Sequence, residues 1–213
     1  MRDSKRERLE RARLYAITPD LEPDAVLELA GAWLRGGADV VQLRHKSLPR
    51  GRLLELGARL AALCASAGAL LVVDDHADVA ALCGADGVHV GPHDLSVAAA
   101  RTVLGREGLV GASAASPGAA RAAALAGADY IGSGPAYPTP LKPEKTVIGP
   151  AGVAEVAAAV RVPVFAIGGI DRSRLPELAA AGLRRVCVIR ALAAAADPEA
   201  EARALRARLG DSG

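Results

Sequence analysis

Three places in the chain gather side chains that can hold charge. In Gln42-Leu43-Arg44-His45-Lys46, strand alternation sets Gln42, Arg44 and Lys46 on one face. A buried strand does not ordinarily end in three polar side chains aimed one way, because unpaired charge is expensive to bury. Asp74-Asp75 closes a later apolar run, and Asp94 follows Gly91-Pro92-His93. Carboxylates from two adjacent strand ends suit a Mg²⁺ ion that keeps some water and takes its other ligands from a substrate phosphate. Each also has a plainer structural reading, an Asx turn at Asp75 and a helix cap at Asp94 or Ser96. The third place holds Lys142 and Lys145 in a Pro- and Gly-rich stretch, then Gly168-Gly169 and, after another apolar run, Arg190. Glycines and backbone N–H groups at such strand ends cradle phosphate. Only four of the 26 basic residues are lysines, and there is a single Gln, so it matters that Gln42, Lys46, Lys142 and Lys145 all fall in these places. No Ser-His-Asp order stands out and the four histidines lack zinc-ligand spacing, so no activated nucleophile is expected. His89, within a short apolar run, reads as structural.

Side chains so far apart in sequence need a scaffold that brings them to one surface. Short β-branched runs alternate with Ala-, Leu- and Arg-rich amphipathic stretches throughout, the rhythm of repeated βα units on a parallel sheet. Strands are predicted at Leu14–Thr18, Val40–Arg44, Leu70–Asp74, Gly87–Val90, Leu109–Ser113, Tyr130–Gly134, Val162–Gly168 and Arg185–Arg190. Helices are predicted to begin near Pro23, Arg50, Ala77, Ser96, Pro117, Pro150, Arg172 and Pro198. Eight units without a composition break predict a closed (β/α)8 TIM barrel as one domain over residues 1–213, in preference to an open doubly wound sheet. The charged segment 1–13 is read as a short capping helix or a frayed terminus. The long stretch Pro135–Gly149, without helical pattern, is a candidate lid.

Composition removes other classes of function. A formal charge of +2 supplies no broad field for nucleic acid or anionic membrane, and 2% aromatic residues cannot build a base-stacking platform. Cys64, Cys83 and Cys187 lie in apolar runs without metal spacing, as buried small hydrophobes do. The first ten residues are mostly charged rather than apolar, and no apolar stretch is long enough to span a bilayer. A reducing, cytoplasmic setting is expected, with small phosphorylated molecules as partners and homo-oligomerisation left open.

From about Leu14 to Ala194 the sequence resembles the thiamine-phosphate synthase family. The resemblance is carried by Leu14-Tyr15-Ala16-Ile17-Thr18, Val41-to-Lys46, Gly84-to-Gly91, Gly127-Ala128-Asp129-Tyr130, the Gly134-to-Lys142 stretch and Ala166-to-Ile170. It implies a barrel enzyme that joins hydroxymethylpyrimidine pyrophosphate to a thiazole phosphate, releasing pyrophosphate with Mg²⁺ assistance. By the resemblance, Asp75 and Asp94 hold Mg²⁺. Arg44, Lys46, Ser113, Thr139 and Lys142 contact the pyrophosphate or pyrimidine, and Gln42 helps to position the pyrimidine. Gly169 and the backbone at Ile189 and Arg190 cradle the thiazole phosphate.

The chain departs from the family pattern at several points. Asp74-Asp75-His76 stands where Asn-Asp-Arg is usual, so the substrate-binding position 74 carries an extra negative charge that a cation must offset. Pro92 replaces Gln, Leu141 replaces the second Thr of the Pro-Thr-x-Thr-Lys loop, and Ala114-Ala115 follows Ser113 in place of a polar pair. These departures motivate two alternatives, a thiazole tautomerase-like paralogue and a non-catalytic thiamine phosphate-binding regulator. The tautomerase would place a histidine where this chain has Ala115.

Overall fold

The computed structural model describes residues 3–140 and 146–210. Eight parallel strands close into a barrel in sequential order: β1 (Leu14–Ile17), β2 (Val40–Leu43), β3 (Leu70–Asp74), β4 (Gly87–Val90), β5 (Leu109–Ser113), β6 (Tyr130–Ser133), β7 (Val164–Ile167) and β8 (Val186–Val188). Around them run α2 (Pro23–Arg35), α3 (Arg50–Ala67), α4 (Ala77–Cys83), α5 (Val97–Leu104), α6 (Pro117–Leu125), α7 (Gly149–Ala158), α8 (Leu175–Ala180), α9 (Arg190–Ala193) and α10 (Pro198–Leu209), with α1 (Lys5–Arg11) before the first strand. The helix starts obey local chemistry. Ser96, Ser116 and Asp197 accept from the N–H groups of Ala99, Ala119 and Ala200, and proline opens α2, α6 and α10 where its missing N–H costs nothing.

The predicted (β/α)8 barrel is therefore the observed one. Five of its strands are shorter than expected: Thr18, Arg44 and Gly134 lie beyond β1, β2 and β6, β7 starts after Pro163, and Arg190 opens α9 beyond β8. A helix of four residues has no periodicity to detect, so α9 is missed by sequence reading. The segment ahead of β1 is a helix. Ser4 and Glu7 close a capping box at its start, and Leu9 and Ala12 join the apolar interior of the barrel from its N-terminal end.

Alternation along the strands divides the apolar residues into two layers. Tyr15, Ile17, Val40, Leu70, Val72, Leu109, Tyr130, Phe165 and Cys187 fill the barrel, while a larger layer including Trp33, Leu43, Val73 and Ile131 packs sheet against helices. All three cysteines are buried and unpaired, as predicted. No described helix is long and apolar enough to cross a membrane.

The N-terminal face of the barrel carries a repeated stitch. In Gly37-Ala38-Asp39, Gly84-Ala85-Asp86 and Gly127-Ala128-Asp129, each aspartate enters an even-numbered strand and accepts from the first amides of the strand before it. Asp39 takes Leu14 N–H at 2.9 Å, Asp86 takes Leu71 N–H at 2.9 Å, and Asp129 takes Val110 N–H at 2.8 Å. Because this face is remote from the strand ends that carry chemistry, Asp129→Ala is expected to cost about 1–3 kcal/mol in urea unfolding while leaving turnover by the folded fraction unchanged.

Candidate active site

At the C-terminal ends of the strands, a cavity of about 1250 Å³ lies over β5 to β8. Ser113, Thr139, Gly169, Ile189 and Arg190 line it, so five of the predicted site residues share one space. Among the described residues the Arg190 guanidinium has no ion-pair partner. Also lining the cavity, Arg174 stacks on the Tyr137 ring at 4.6 Å, and Tyr137 donates to Glu177 at 2.9 Å. Burial and the Glu177 carboxylate push the Tyr137 phenol up to about 12, so it stays protonated.

The cavity wall requires glycine at position 169. Gly169 has φ +65°, and a Cβ there would stand 2.6 Å from Pro138 O and 2.8 Å from Tyr137 Cβ. This close approach lets residues 135–138 lie against the end of β7, where Ala136 N–H and Tyr137 N–H donate to the carbonyls of Ile167 and Gly168. The start of the candidate lid is thus tied down. Lys142 and Lys145, together with Leu141, lie outside the described residues.

A charged cluster occupies the ends of β2, β3 and β4. Lys46 Nζ donates to Asp74 at 2.8 Å and to Asp75 at 2.5 Å, and Arg44 pairs with Asp20 at 3.2 Å and with Asp74 at 3.9 Å. The extra negative charge of Asp74 is therefore balanced by Lys46. Asp75 holds φ +61°, and its neighbour His76 donates back to the Asp74 carbonyl at 2.7 Å, a tight turn that a non-glycine residue adopts at some cost. Asp94 accepts from Gly91 N–H at 2.8 Å and reaches the Asp75 carboxyl, while Ser96, not Asp94, caps α5.

Burial pushes the Asp75 carboxyl up, but the hydrogen bond and charge of Lys46, aided by Asp94 and His76, hold it below its ordinary 3.8. Burial pulls Lys46 down, but Asp74 and Asp75 together hold it above its ordinary 10.5. The stability that Asp75 adds is thus present above about pH 4 and lost as pH falls through its lowered value. That of Lys46 is present below its ordinary value and lost as pH rises through its raised one. The stability gap between the wild type and Lys46→Met, read from urea midpoints, is expected to stay level from about pH 5 to 9 and to shrink outside that range.

Gln42 is not at the mouth but inside the barrel, 4% exposed, with Nε2 donating to Tyr15 OH at 2.9 Å. Tyr15 OH and Tyr130 OH are 2.8 Å apart, Tyr130 OH is 3.1 Å from His89 Nδ1, and His89 Nε2 is 2.9 Å from Ser113 Oγ. One continuous chain of polar contacts thus runs from β2 to the cavity wall at Ser113. Sequence reading gave Tyr15 and Tyr130 no role at the site and took His89 as structural. Alternation within β4 and β5 points His89 and Ser113 inward, but their contact follows only from the strand register, which sets His89 opposite Gly111. The His89 main chain also bears on the charged cluster, since its carbonyl accepts from Asp75 N–H at 2.9 Å.

Among the described residues no group of three or more His, Cys, Asp or Glu side chains could enclose a metal ion. Asp75 and Asp94 do form a pair of adjoining carboxylates. That donor set fits Mg²⁺, which is commonly held by one or two carboxylates with water and substrate phosphate completing the shell.

Fold and site together define a (β/α)8 barrel with a charged mouth opening beside a glycine-walled cavity, a form suited to phosphorylated small molecules. The chain belongs to the thiamine monophosphate synthase family, whose sequence profile matches residues 14–192. It is 47% identical over 197 residues to the thiamine biosynthesis bifunctional protein ThiM/ThiE of Symbiobacterium thermophilum, covering 92% of this chain and 40% of that one. It is 44% identical over 193 residues to a thiamine-phosphate synthase of Gloeobacter violaceus, covering 91% of this chain and 56% of the relative. The chain thus spans about half the length of these curated relatives. A solved thiamine phosphate pyrophosphorylase of Pyrococcus furiosus superposes with a TM-score of 0.85 at 34% identity, covering 96% of both chains.

Proposed function

We propose that this protein is a thiamine-phosphate synthase, joining hydroxymethylpyrimidine pyrophosphate to thiazole phosphate. The observation that carries the reading is the juxtaposition of the Lys46, Asp75 and Asp94 cluster with the cavity over β5 to β8, linked through Ser113 and His89.

In the reaction the bond between the pyrimidine methylene carbon and the pyrophosphate oxygen breaks, and a bond from that carbon to the thiazole nitrogen forms. The nitrogen adds through its lone pair and loses no proton, so no strong base is needed. The electron-rich aminopyrimidine supports positive character at the methylene carbon, which leaves stabilisation of the departing pyrophosphate and alignment of the reactants as the main tasks. Arg44, Lys46, Ser113 and Lys142 meet the pyrophosphate, with Thr139 beside them. Asp74 borders the pyrimidine, which Gln42 helps to position from inside the barrel through its hydrogen bond to Tyr15. Gly169, the backbone at Ile189 and Arg190, and the Arg190 guanidinium receive the thiazole phosphate. Asp75 and Asp94 would hold Mg²⁺, which would supply positive charge to the pyrophosphate oxygens. In the free protein Lys46 is held by Asp74 and Asp75 at the strand ends where it would meet the pyrophosphate.

Incubation with both precursors and Mg²⁺ is the test: thiamine phosphate and pyrophosphate are expected to appear in equal amounts. No product at any Mg²⁺ concentration overturns the reading. The tautomerase alternative is disfavoured by the Ala114-Ala115 wall of the cavity, which has no proton-transfer group at position 115.

A further inference from the structure

We propose that His89 is a positioning residue, held as its Nε2–H tautomer by the chain Gln42–Tyr15–Tyr130 so that it donates to Ser113 and turns the Ser113 hydroxyl hydrogen into the cavity. The polarity follows from counting hydrogens along the buried chain. Gln42 Nε2 can only donate, so the Tyr15 oxygen accepts there. Tyr15 and Tyr130 are 1% and 0% exposed, and a buried hydroxyl hydrogen needs an acceptor. Burial raises both phenols well above their ordinary value, so each keeps its hydrogen. Tyr15 therefore donates to Tyr130 across 2.8 Å, and Tyr130 donates to His89 Nδ1 across 3.1 Å. A neutral imidazole that accepts at Nδ1 carries its hydrogen on Nε2, which lies 2.9 Å from Ser113 Oγ. Having accepted that bond, Ser113 has its own hydrogen left for the cavity it lines.

Four bonds of the same polarity reinforce one another. The ring is also confined sterically: a Cβ at Gly132 would stand 3.1 Å from His89 Cε1, so the glycine leaves the space the imidazole occupies. With the opposite polarity, Ser113 would donate to His89 and present only lone pairs to the cavity. That arrangement would repel a pyrophosphate oxygen, whereas the proposed one meets it with a donor. The catalytic consequence rests on the synthase reading, but the tautomer does not.

Two measurements test the proposal separately. In the free wild-type protein, ¹⁵N NMR of the imidazoles, with His89 assigned by its loss in His89→Gln, is expected to show the Nε2–H tautomer. Tyr130→Phe, which removes the donor to Nδ1, is expected to shift His89 to a tautomer mixture. An Nδ1–H tautomer in the wild type overturns the proposal, whether or not the protein turns over. In the coupling assay, Ser113→Ala and His89→Leu are each expected to lower kcat by about 10²-fold, with KM for thiazole phosphate unchanged. The double variant is expected to be no slower than Ser113→Ala alone, because His89 acts through Ser113. His89→Gln, whose amide can still donate to Ser113, recovers part of the loss. Losses that multiply in a folded double variant overturn the positioning role. Absence of turnover in the wild type refutes the synthase reading and leaves the NMR result to decide the hydrogen-bond chain.

Discussion

Asp75→Ala is expected to lower kcat/KM for the coupling reaction by about 10²–10³-fold, or about 3–4 kcal/mol of transition-state stabilisation. The carboxylate has two duties in the proposed site. In the proposed reaction it would share Mg²⁺ with Asp94, and in the free protein it shares Lys46 with Asp74. Asp94→Ala removes only the first duty and is expected to raise the Mg²⁺ concentration needed for half-maximal rate. Asp75→Gly separates chemistry from folding. Glycine adopts φ +61° without strain, so this variant should hold its melting temperature better than Asp75→Ala and be equally inactive. Steady-state kinetics over a Mg²⁺ titration, with thermal melts of the same samples, checks all three. Wild-type rates in either Asp75 variant would remove that residue from the mechanism.

Gly111→Ala is expected to be the most damaging single-methyl addition in the barrel interior. Its Cβ would stand 2.0 Å from Tyr130 Cζ and 2.3 Å from Cε1, both in a fully buried ring. That ring cannot retreat. It packs on Tyr15 and Phe165 with centroids 5.8 Å away in each case, and its hydroxyl lies between Tyr15 and His89. Overpacking of this kind costs about 3 kcal/mol, which in a chain of this size lowers Tm by roughly 6–12 °C. Tyr130→Phe in the same background is expected to give at most partial rescue, since it removes the hydroxyl 2.4 Å from the added Cβ but leaves the clashing ring carbons. A melting temperature equal to the wild type's would show that the barrel can shift its strands to admit the methyl group.

Strand and helix positions were legible in the sequence because they follow from neighbours in the chain. The apolar runs of β3, β4 and β5 have the predicted bounds, and Ser96, Pro117 and Pro198 mark helix starts through their own caps and rings. The scarcity of Lys and Gln also located Gln42 and Lys46, although it did not say what they touch. Gln42 faces Tyr15 inside the barrel, and Lys46 is occupied by Asp74 and Asp75. The balance of charge at Asp74, which departs from the family pattern, became visible only through that second contact.

By itself, then, the sequence determined an eight-unit barrel, the strand ends at which charge collects, and the family of the chain, since each depends on local periodicity or on contiguous motifs. Tertiary structure alone decided the polar chain from Gln42 to Ser113. Tyr15 and Tyr130 are 115 residues apart, and their hydroxyls meet because barrel closure and strand stagger bring inward-facing residues of β1 and β6 to the same height. Alternation can say that a side chain points into the barrel. Which side chain it meets there depends on the register of every strand between them and on the space left by Gly111.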